Sequence, residues 1–372
     1  MRIGFYAPLK PADHPVPSGD RLMARLLMEA LGLAGHEVVV MSRFRSRDGA
    51  GDPVRQARLA AFRPGLVQRA LRVTPSPDLW FTYHLYHKAP DLIGPAVADR
   101  LGIPYVVAEA SVAGKQAAGR WAAGHAAVKT ALARADAVIG LNPADAEGVL
   151  PHLADAARYH ALPPFLDTTP FAAARAARAS TRAVLAEHHD LDPTDPWLIA
   201  VAMMRPGDKL ASYRLLGDAL GRILDRRWRL LVVGDGGARD AVAAALAPLG
   251  RRVAWLGALS PDAVPATVAA SDLMVWPAWR EAWGMALLEA QAAGVPVVAG
   301  RIGGVPAIVA EGRTGLLAAE ADSVGFAEAV ATLIDDPVRR AAFGRSAVAY
   351  VEKHHGLAAA AGRLAHILGG LA

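Results

Sequence analysis

Short apolar runs alternate with amphipathic segments along the first half of the chain. Ile3–Ala7 and Glu37–Met41 have the length and composition of buried strands. Asp20–Leu33 carries apolar residues at helical spacing, and Gly35 follows as a stop signal. Further strands are predicted at Leu79–Thr82, Tyr105–Ala108 and Ala137–Leu141, and further helices at Pro90–Leu101 and Ala123–Arg134. The alternation predicts an α/β domain with a doubly wound parallel sheet.

The second half repeats the pattern. Strands are predicted at Trp197–Ala202, Arg229–Val233, Val253–Leu256, Leu273–Trp276 and Val295–Ala299. Helices are predicted at Ala172–His189, Leu210–Leu224, Asp240–Leu249, Val264–Ala270, Gly284–Ala293, Val305–Val309 and Ser323–Asp335. Proline-rich residues 163–170 predict a junction. We therefore expect a first domain over 1–165, a linker with the second domain's first helix over 166–195, a second domain over 196–350 and a terminal helix over 351–372.

Composition narrows the class of protein. The 372 residues are 53% hydrophobic and 20% charged, which is typical of a globular chain of two domains. The absence of cysteine excludes disulfides, thiolate metal sites and cysteine nucleophiles. The chain opens directly with a predicted strand, and no uncharged apolar run reaches 18 residues. We expect no signal peptide, no membrane-spanning helix and a cytoplasmic location.

Positive charge is concentrated in the first half. Residues 1–190 carry 22 Lys and Arg against 17 Asp and Glu, whereas the remainder carries 18 of each. Residues 43–72 contain eight arginines and two aspartates, interleaved with apolar residues. One interpretation is a membrane or acceptor surface that includes Arg58, Arg63 and Arg69, with peripheral attachment to an anionic membrane. The other is a solvated loop and helix; nucleic acid is not expected, because no binding motif is present.

The segment from Trp276 to Gly300 carries the most specific chemistry. A strand ends in a Pro-containing loop with Glu281, and a helix beginning near Gly284 contains Glu289. Positions i and i+8 of one helix do not share a face, so Glu281 must precede the helix. The N–H groups of Gly284, Met285, Ala286 and Leu287 would then form an anion site between two carboxylates. A nucleotide-sugar has the matching shape, with hydroxyls at both ends and phosphate between them.

These residues resemble the Glu-x7-Glu signature of the family 4 retaining glycosyltransferases, which have the GT-B fold. Other motifs of that family occur in the same order at Val232–Arg239, Trp255–Leu259, Gly303–Pro306 and Glu311–Leu317. The resemblance covers roughly residues 196–350, and residues 1–195 only loosely. It implies two Rossmann-like domains facing each other across a cleft. It also implies transfer of a hexose, with retention and no metal or other cofactor, from a UDP- or GDP-sugar to an envelope glycan, a glycolipid or another lipid-linked acceptor.

The resemblance also implies roles for individual residues. Glu289 would accept the ribose hydroxyls of the donor, and Glu281 would hold the donor sugar. Arg205 and Lys209 follow the first strand of the second domain, where open α/β sheets bind ligands, and would stabilise the diphosphate. Gly19 would let backbone approach the donor, and either Ser18 or Asp20 beside it is the candidate cap of the first helix. Leu259 would offer backbone contacts to the base.

The chain departs from the family at several positions. The family's sugar-contacting histidine falls here near Ser111 or Glu109, and His84 is a further candidate for a sugar or acceptor contact. Ala282 replaces the usual glycine, and Trp283 replaces the common phenylalanine. Two other interpretations therefore stay open: a sugar-nucleotide epimerase or phosphorylase of the same fold, and a catalytically inactive nucleotide-sugar-binding protein.

Overall fold

The chain forms two compact units in a computed structural model that describes residues 1–16, 18–281 and 283–371. Unit 1 comprises Met1–Pro163 and Leu357–Ala372, and unit 2 comprises Pro164–Gly356. The division after Pro163 falls in the proline-rich stretch that contains few helix or strand formers.

Unit 1 is built on one parallel sheet of six strands in the order β2-β1-β3-β4-β5-β6. The strands are β1 (Arg2–Tyr6), β2 (Glu37–Ser42), β3 (Leu79–Tyr86), β4 (Tyr105–Ser111), β5 (Ala137–Gly140) and β6 (Tyr159–Ala161). The helices are α1 (Gly19–Leu33), α2 (Pro53–Ala61), α3 (Arg63–Leu71), α4 (Gly94–Leu101), α5 (Ala122–Arg134) and α6 (Ala146–Val149). The predicted doubly wound sheet is confirmed.

Three strands of unit 1 depart from the sequence prediction. Both β3 and β4 run several residues beyond their apolar runs, and each continues through a polar residue with positive φ, His84 (φ 66°) and Glu109 (φ 56°). The third, β6, was not predicted, because its three residues are half-buried or exposed and show no apolar pattern.

Unit 2 has a second parallel sheet of six strands, in the order β12-β11-β10-β7-β8-β9. The strands are β7 (Trp197–Val201), β8 (Arg229–Val233), β9 (Val253–Gly257), β10 (Leu273–Trp276), β11 (Val297–Gly300) and β12 (Gly315–Ala318). The helices are α7 (Thr169–Ala176), α8 (Arg178–His189), α9 (Asp208–Gly221), α10 (Arg239–Leu246), α11 (Ala263–Ala270), α12 (Met285–Ala292), α13 (Val305–Ile308), α14 (Ser323–Asp335) and α15 (Pro337–His355).

Several boundaries in unit 2 differ from the prediction. The single helix predicted over 172–189 is divided into α7 and α8 at Ala177. After α10 the chain tightens into a 3₁₀ segment, Ala247–Arg252, where Gly250 has positive φ. Propensity does not locate the break at Ala177, because the flanking alanines favour helix on both sides, whereas Pro248 and Gly250 are signals for the second break.

The inner strands of both sheets are largely buried on both faces, as expected where helices cover each side, whereas the edge strands β2, β6 and β9 are mostly half-buried. Trp80, Phe81 and Tyr105 are buried in unit 1, and Trp197 and Trp276 are buried in unit 2.

The last helix, α16 (Leu357–Gly369), belongs to unit 1, where it packs against α1. Gly356 separates it from α15, and its extended backbone (φ −78°, ψ 161°) ends that helix. Apolar residues of α16, including Leu364 and Leu368, are fully buried. No helix in the described part of the chain is long and apolar enough to cross a membrane.

Candidate functional site

The candidate donor site lies at the carboxyl ends of β7 and β10. The chain of unit 2 enters its sheet at β7, continues outward through β8 and β9, and returns to the other side of β7 with β10. Strand order therefore reverses between β7 and β10, which is where open α/β sheets leave a crevice for ligands. The loop after β7 carries Arg205, and the loop after β10 carries Glu281.

An ion pair joins these two loops. Lys209, in the first turn of α9, donates from Nζ to Glu281 Oε2, and both side chains are mostly buried, with exposed fractions of 29% and 19%. The indole Nε1 of buried Trp276 lies 3.5 Å from the same carboxylate oxygen. Lys209 Nζ also lies 5.5 Å from the centroid of the Trp276 ring, within cation–π range. Sequence reasoning selected both charged residues but did not predict that they pair.

Two buried residues of α9 hold the flanking loops in place. The Ser212 hydroxyl accepts the backbone N–H of Trp279 at 2.9 Å. The Tyr213 hydroxyl donates to the Ala202 carbonyl at 2.9 Å, and its ring packs edge-on against Trp276 with centroids 5.0 Å apart. One helix therefore positions both loops, which makes the Lys209–Glu281 geometry a property of packed residues.

The loop after β10 has a strained backbone. Ala278 and Arg280 both have positive φ, at 59° and 48°, although neither is glycine. Gly284 caps α12 in the left-handed region, with φ 69° and ψ 58°. Such outliers persist where surrounding structure holds them and are frequent at functional sites. Ala282, one of the departures from the family motif, lies outside the described residues.

The first turn of α12 uses one of its candidate donors internally. The Leu287 N–H donates to the Gly284 carbonyl at 2.8 Å. The predicted helix start at Gly284 moves by one residue, since Gly284 is the cap and α12 begins at Met285. The N–H groups of Gly284, Met285 and Ala286 remain the candidate anion donors of this turn.

Glu289 lies in α12 between the buried residues Leu288 and Ala290. Its side chain receives no hydrogen bond and makes no ion pair with any residue that the structure describes. Burial raises the pKa of the Glu289 carboxyl from 4.5 to about 7. An unpaired acid in apolar surroundings is costly to the fold, and such residues are frequent in functional sites.

The loops after β7 and β8 support one another through backbone contacts. Met204 N–H donates to Asp235 O at 2.9 Å, and Ala238 N–H donates to Met204 O at the same distance. A side chain at Gly234 (φ 136°) would collide with the Ala202 carbonyl oxygen. The glycines of this motif therefore allow close packing of two loops. Beside them Arg205 is exposed, and Leu259, just after β9, is half-buried.

A second polar cluster lies at the carboxyl ends of β1 and β3 in unit 1, where strand order also reverses. His84 Nδ1 lies 3.2 Å from Asp20 Oδ1, in the first turn of α1. Glu109, on the neighbouring strand β4, adds a second carboxylate to the cluster. His84 and Glu109 are the two strand residues of this unit with positive φ. The structure thus brings two sequence candidates together and adds Asp20, which sequence reasoning considered only as a helix cap.

Protonation states in this cluster are coupled. Burial by itself would lower the pKa of His84, but the hydrogen bond to Asp20 and the charge of Glu109 raise it overall. Burial raises the pKa of Glu109 despite the opposing His84 charge and a hydrogen bond from Tyr83. The hydrogen bond with His84 lowers the pKa of Asp20, although its partial burial acts in the other direction. The arrangement favours an imidazolium between two acids.

Two further candidates in unit 1 have simpler surroundings. Ser18 caps α1 by accepting the Arg21 N–H at 3.2 Å, and Gly19 follows as an exposed residue. A side chain at Gly19 would meet no atom within 4 Å, so unit 1 itself does not require glycine there. Ser111 is the half-buried last residue of β4, beside Tyr86 of β3.

A cationic cavity adjoins His84. It has a volume of about 400 Å³, and three basic side chains, Lys10, Arg45 and Arg47, line it together with Asp20. Sequence reasoning missed this group, because Lys10 lies far from the two arginines along the chain. The sequence signal that could have identified this group is that Lys10 follows β1 and the two arginines follow β2, so that they meet where neighbouring strands end.

The arginine-rich segment of unit 1 forms α2 and α3. Arg58, Arg63 and Arg69 are all exposed, and so is Phe62 between them, with 59% of its surface accessible. Val67 and Ala70 are the buried members and pack into the unit. The segment is therefore a docked helical pair with a basic outer surface.

Comparison with known proteins agrees with this architecture. Residues 195–336 match the family described as glycosyl transferases group 1. The D-inositol 3-phosphate glycosyltransferase of Corynebacterium efficiens is 42% identical over 98 residues, which are 26% of this chain and 23% of the relative. The protein of the same name from Rhodococcus jostii is 28% identical over 313 residues, covering 79% of this chain and 67% of the relative.

Among the first five curated relatives, the chain spans between 20% and 36% of the relative's own length. Among solved structures, HepE of Anabaena in complex with UDP superposes with a TM-score of 0.71 over the whole of both chains, at 19% identity. That likeness concerns the fold. Residues 195–336 therefore match the group 1 family of glycosyl transferases, and the chain as a whole has the GT-B fold.

Proposed function

We propose that this protein is a retaining glycosyltransferase that transfers a hexose from a UDP- or GDP-sugar to a phosphate-bearing polyol or glycolipid acceptor. The observation that carries the proposal is the Lys209–Glu281 pair at the reversal of strand order in unit 2, followed by the half-buried Glu289 about one turn into α12. Family membership of residues 195–336 supports it.

The proposed donor roles follow the charges of the site. Lys209 and Arg205 hold the diphosphate, and the first-turn N–H groups of α12 add neutral donors to the same anion. Glu281 accepts hydroxyls of the donor sugar, and its bond to Lys209 keeps both groups at one place. Glu289 accepts the ribose hydroxyls, whose hydrogen bonds compensate its burial.

In the proposed step, the bond between the anomeric carbon and the diphosphate oxygen breaks, and a bond to the acceptor oxygen forms on the same face. The acceptor proton passes to the departing phosphate, so the step needs no protein nucleophile. Negative charge develops on the diphosphate, where Lys209 and Arg205 stabilise it in place of a metal. Metal independence is part of the proposal.

An anionic acceptor is supported by the cavity beside His84. Lys10, Arg45 and Arg47 line it against a single acid, Asp20. Guanidinium groups match the geometry of phosphate oxygens. The similar proteins of Corynebacterium efficiens and Rhodococcus jostii are D-inositol 3-phosphate glycosyltransferases, which supports an acceptor of the same class. His84, Glu109 and Ser111 would orient its hydroxyl groups.

We also propose that the protein acts in the cytoplasm and attaches peripherally to anionic membranes. The exposed Arg58, Arg63 and Arg69 flank the exposed Phe62, a combination that favours an interfacial location.

The decisive experiment begins with a thermal-shift screen of UDP-, GDP- and ADP-sugars, because a bound ligand raises apparent stability. The stabilising donor is then incubated with inositol phosphates and glycolipids, and products are identified by mass spectrometry. The expected result is a hexosylated acceptor with retained anomeric configuration by NMR, lost in Lys209→Met. Donor binding without product would indicate a binding protein. An isomerised donor, or free sugar released without acceptor, would indicate an epimerase or a hydrolytic activity.

A further inference from the structure

A cavity in unit 2 lies at the ends of the strands opposite to Lys209 and Glu281. It has a volume of about 570 Å³ and is bounded by α7, α8 and α15. Asp272 and Pro296, which line it, precede β10 and β11, so the cavity faces the amino ends of the strands. Its volume is in the range of small-molecule sites. The donor chemistry proposed above makes no use of it.

The cavity has a large excess of positive charge. Four arginines line it, Arg175, Arg178, Arg340 and Arg345, against one carboxylate, Asp272. That carboxylate is already used. It accepts Arg178 Nη2 at 2.6 Å and the Trp197 backbone N–H at 2.8 Å, and a further arginine outside the lining lies 3.0 Å from it. Outside the lining, the Glu352 carboxylate lies 3.5 Å from Arg175 Nη2, so Arg340 and Arg345 are the two lining arginines without an ion-pair partner among the described residues.

Structural roles account for three of these arginines. Arg175 donates to the carbonyl at the end of α12, Arg178 donates to Ser271 O at 2.5 Å after α11, and Arg340 donates to Ile334 O at 3.0 Å in α14. Carbonyl groups satisfy N–H donors but supply no full negative charge. Burial lowers the pKa of Arg340. The charges of Asp272 and Asp336 oppose that shift, and the charge of Arg178 adds to it. The fold tolerates a group of like charges that a bound anion would neutralise.

Arg345 has no such role. It extends from α15 and forms neither a hydrogen bond nor an ion pair with any other residue that the structure describes. Because each guanidinium carries five N–H donors in a planar fork, Arg345 and the unused donors of Arg340 and Arg175 can bind oxyanions in a bidentate manner.

We propose that this arginine cavity is a second anion site, which binds a small molecule carrying phosphate groups. Guanidinium groups match the geometry of phosphate oxygens, and their charge favours anions over neutral ligands. The phosphate could belong to a free metabolite or to a lipid headgroup. The site is separate from the donor diphosphate site, because the two lie at opposite ends of the strands of one sheet.

The test uses the full chain carrying Arg205→Gln, Lys209→Met, Arg45→Gln and Arg47→Gln, so that neither the donor site nor the cavity beside His84 competes for anions. Pyrophosphate is titrated by calorimetry at 0.15 M salt, roughly the physiological ionic strength. We expect one binding event, with a dissociation constant raised at least about tenfold by Arg345→Glu. Arg251→Gln, which removes an exposed arginine elsewhere in unit 2, is the matched control and should leave the constant unchanged.

A second arm identifies the source of the phosphate. Arg345-dependent binding of phosphatidic acid vesicles in the absence of pyrophosphate binding would assign the site to a lipid headgroup. The proposal is overturned if neither probe binds the donor-site variant, or if Arg345→Glu and Arg251→Gln behave alike with both probes. Donor binding by the otherwise unmodified Arg345→Glu protein should equal that of the parent, which separates this test from the proposed glycosyltransfer.

Discussion

Glu289→Gln should make the ligand-free protein more stable and its donor binding weaker. The substitution keeps the shape of the side chain and removes its charge. Burial raises the pKa of Glu289 from 4.5 to about 7. At about 1.4 kcal/mol per unit, ionisation of this carboxyl costs the fold about 3 kcal/mol. The glutamine variant avoids that cost, whereas the donor loses a charged acceptor for its ribose hydroxyls.

The pH dependence follows from the direction of the shift. Below pH 4.5 the carboxyl is neutral in both folded and unfolded chains, so parent and variant should differ little. Between pH 4.5 and about 7 the unfolded chain ionises and the folded chain does not, so the parent loses stability relative to the variant. Above about pH 7 the difference should be constant. Urea unfolding at pH 5 and pH 8, followed by tryptophan fluorescence, measures the difference in stability between parent and variant.

Donor binding should change in the opposite direction. Hydrogen bonds to a charged acceptor contribute about 1.5–3 kcal/mol, so the variant's dissociation constant should rise by between about tenfold and a hundredfold. Because ribose hydroxyls favour the carboxylate, the parent's affinity should increase with pH through about 7, and the variant's should not. Calorimetry in buffers of different ionisation enthalpy would detect the proton released on binding.

An exposed residue of the same unit provides the control. Glu187→Gln, on the surface of α8, should change stability by less than about 0.5 kcal/mol at either pH and leave donor affinity unaltered. Equal donor affinity in the parent and Glu289→Gln would remove Glu289 from the site. Equal stability of the two proteins at pH 8 would refute the argument that its charge is buried.

Three further predictions concern other parts of the molecule. Lys209→Met should reduce kcat/KM by at least about a hundredfold, through lost stabilisation of the diphosphate, while circular dichroism stays unchanged; near-normal turnover would contradict the assigned role. Gly234→Ala should lower the urea midpoint and donor affinity together, because its Cβ would collide with the loop after β7; an unchanged midpoint would show that this loop can move aside. Replacing Arg58, Arg63 and Arg69 with glutamine should reduce sedimentation with anionic vesicles by severalfold and leave donor binding intact, and absence of vesicle binding by the parent would end the membrane proposal.

Much of the fold could be predicted from local pattern. Apolar runs of four to six residues between amphipathic segments identify buried strands, and β10 was predicted at its observed bounds, Leu273–Trp276. Strands without such an apolar run were not predicted. The extension of β3 through His84 could not be inferred, since a polar residue with positive φ does not look like part of a strand.

For the candidate site, too, the sequence identified single residues but not the contacts between them. Glu281, Glu289 and Lys209 could be selected from motif and position after predicted strands. The contacts that these residues make could not be predicted. The Lys209–Glu281 pair joins residues 72 positions apart in the sequence, and Asp20 meets His84 only because folding brings the start of α1 to the carboxyl end of β3.

The sequence alone thus determined the two α/β units, the alternation of strands and helices in each, and the types of residue that follow each strand. Those features depend on local spacing, which is written along the chain. Tertiary structure alone decided which charges meet, how far Glu289 is removed from water, and where uncompensated arginines gather. Distances and desolvation arise only when segments remote in sequence pack together, and both the pKa of a carboxyl and the strength of an ion pair depend on them.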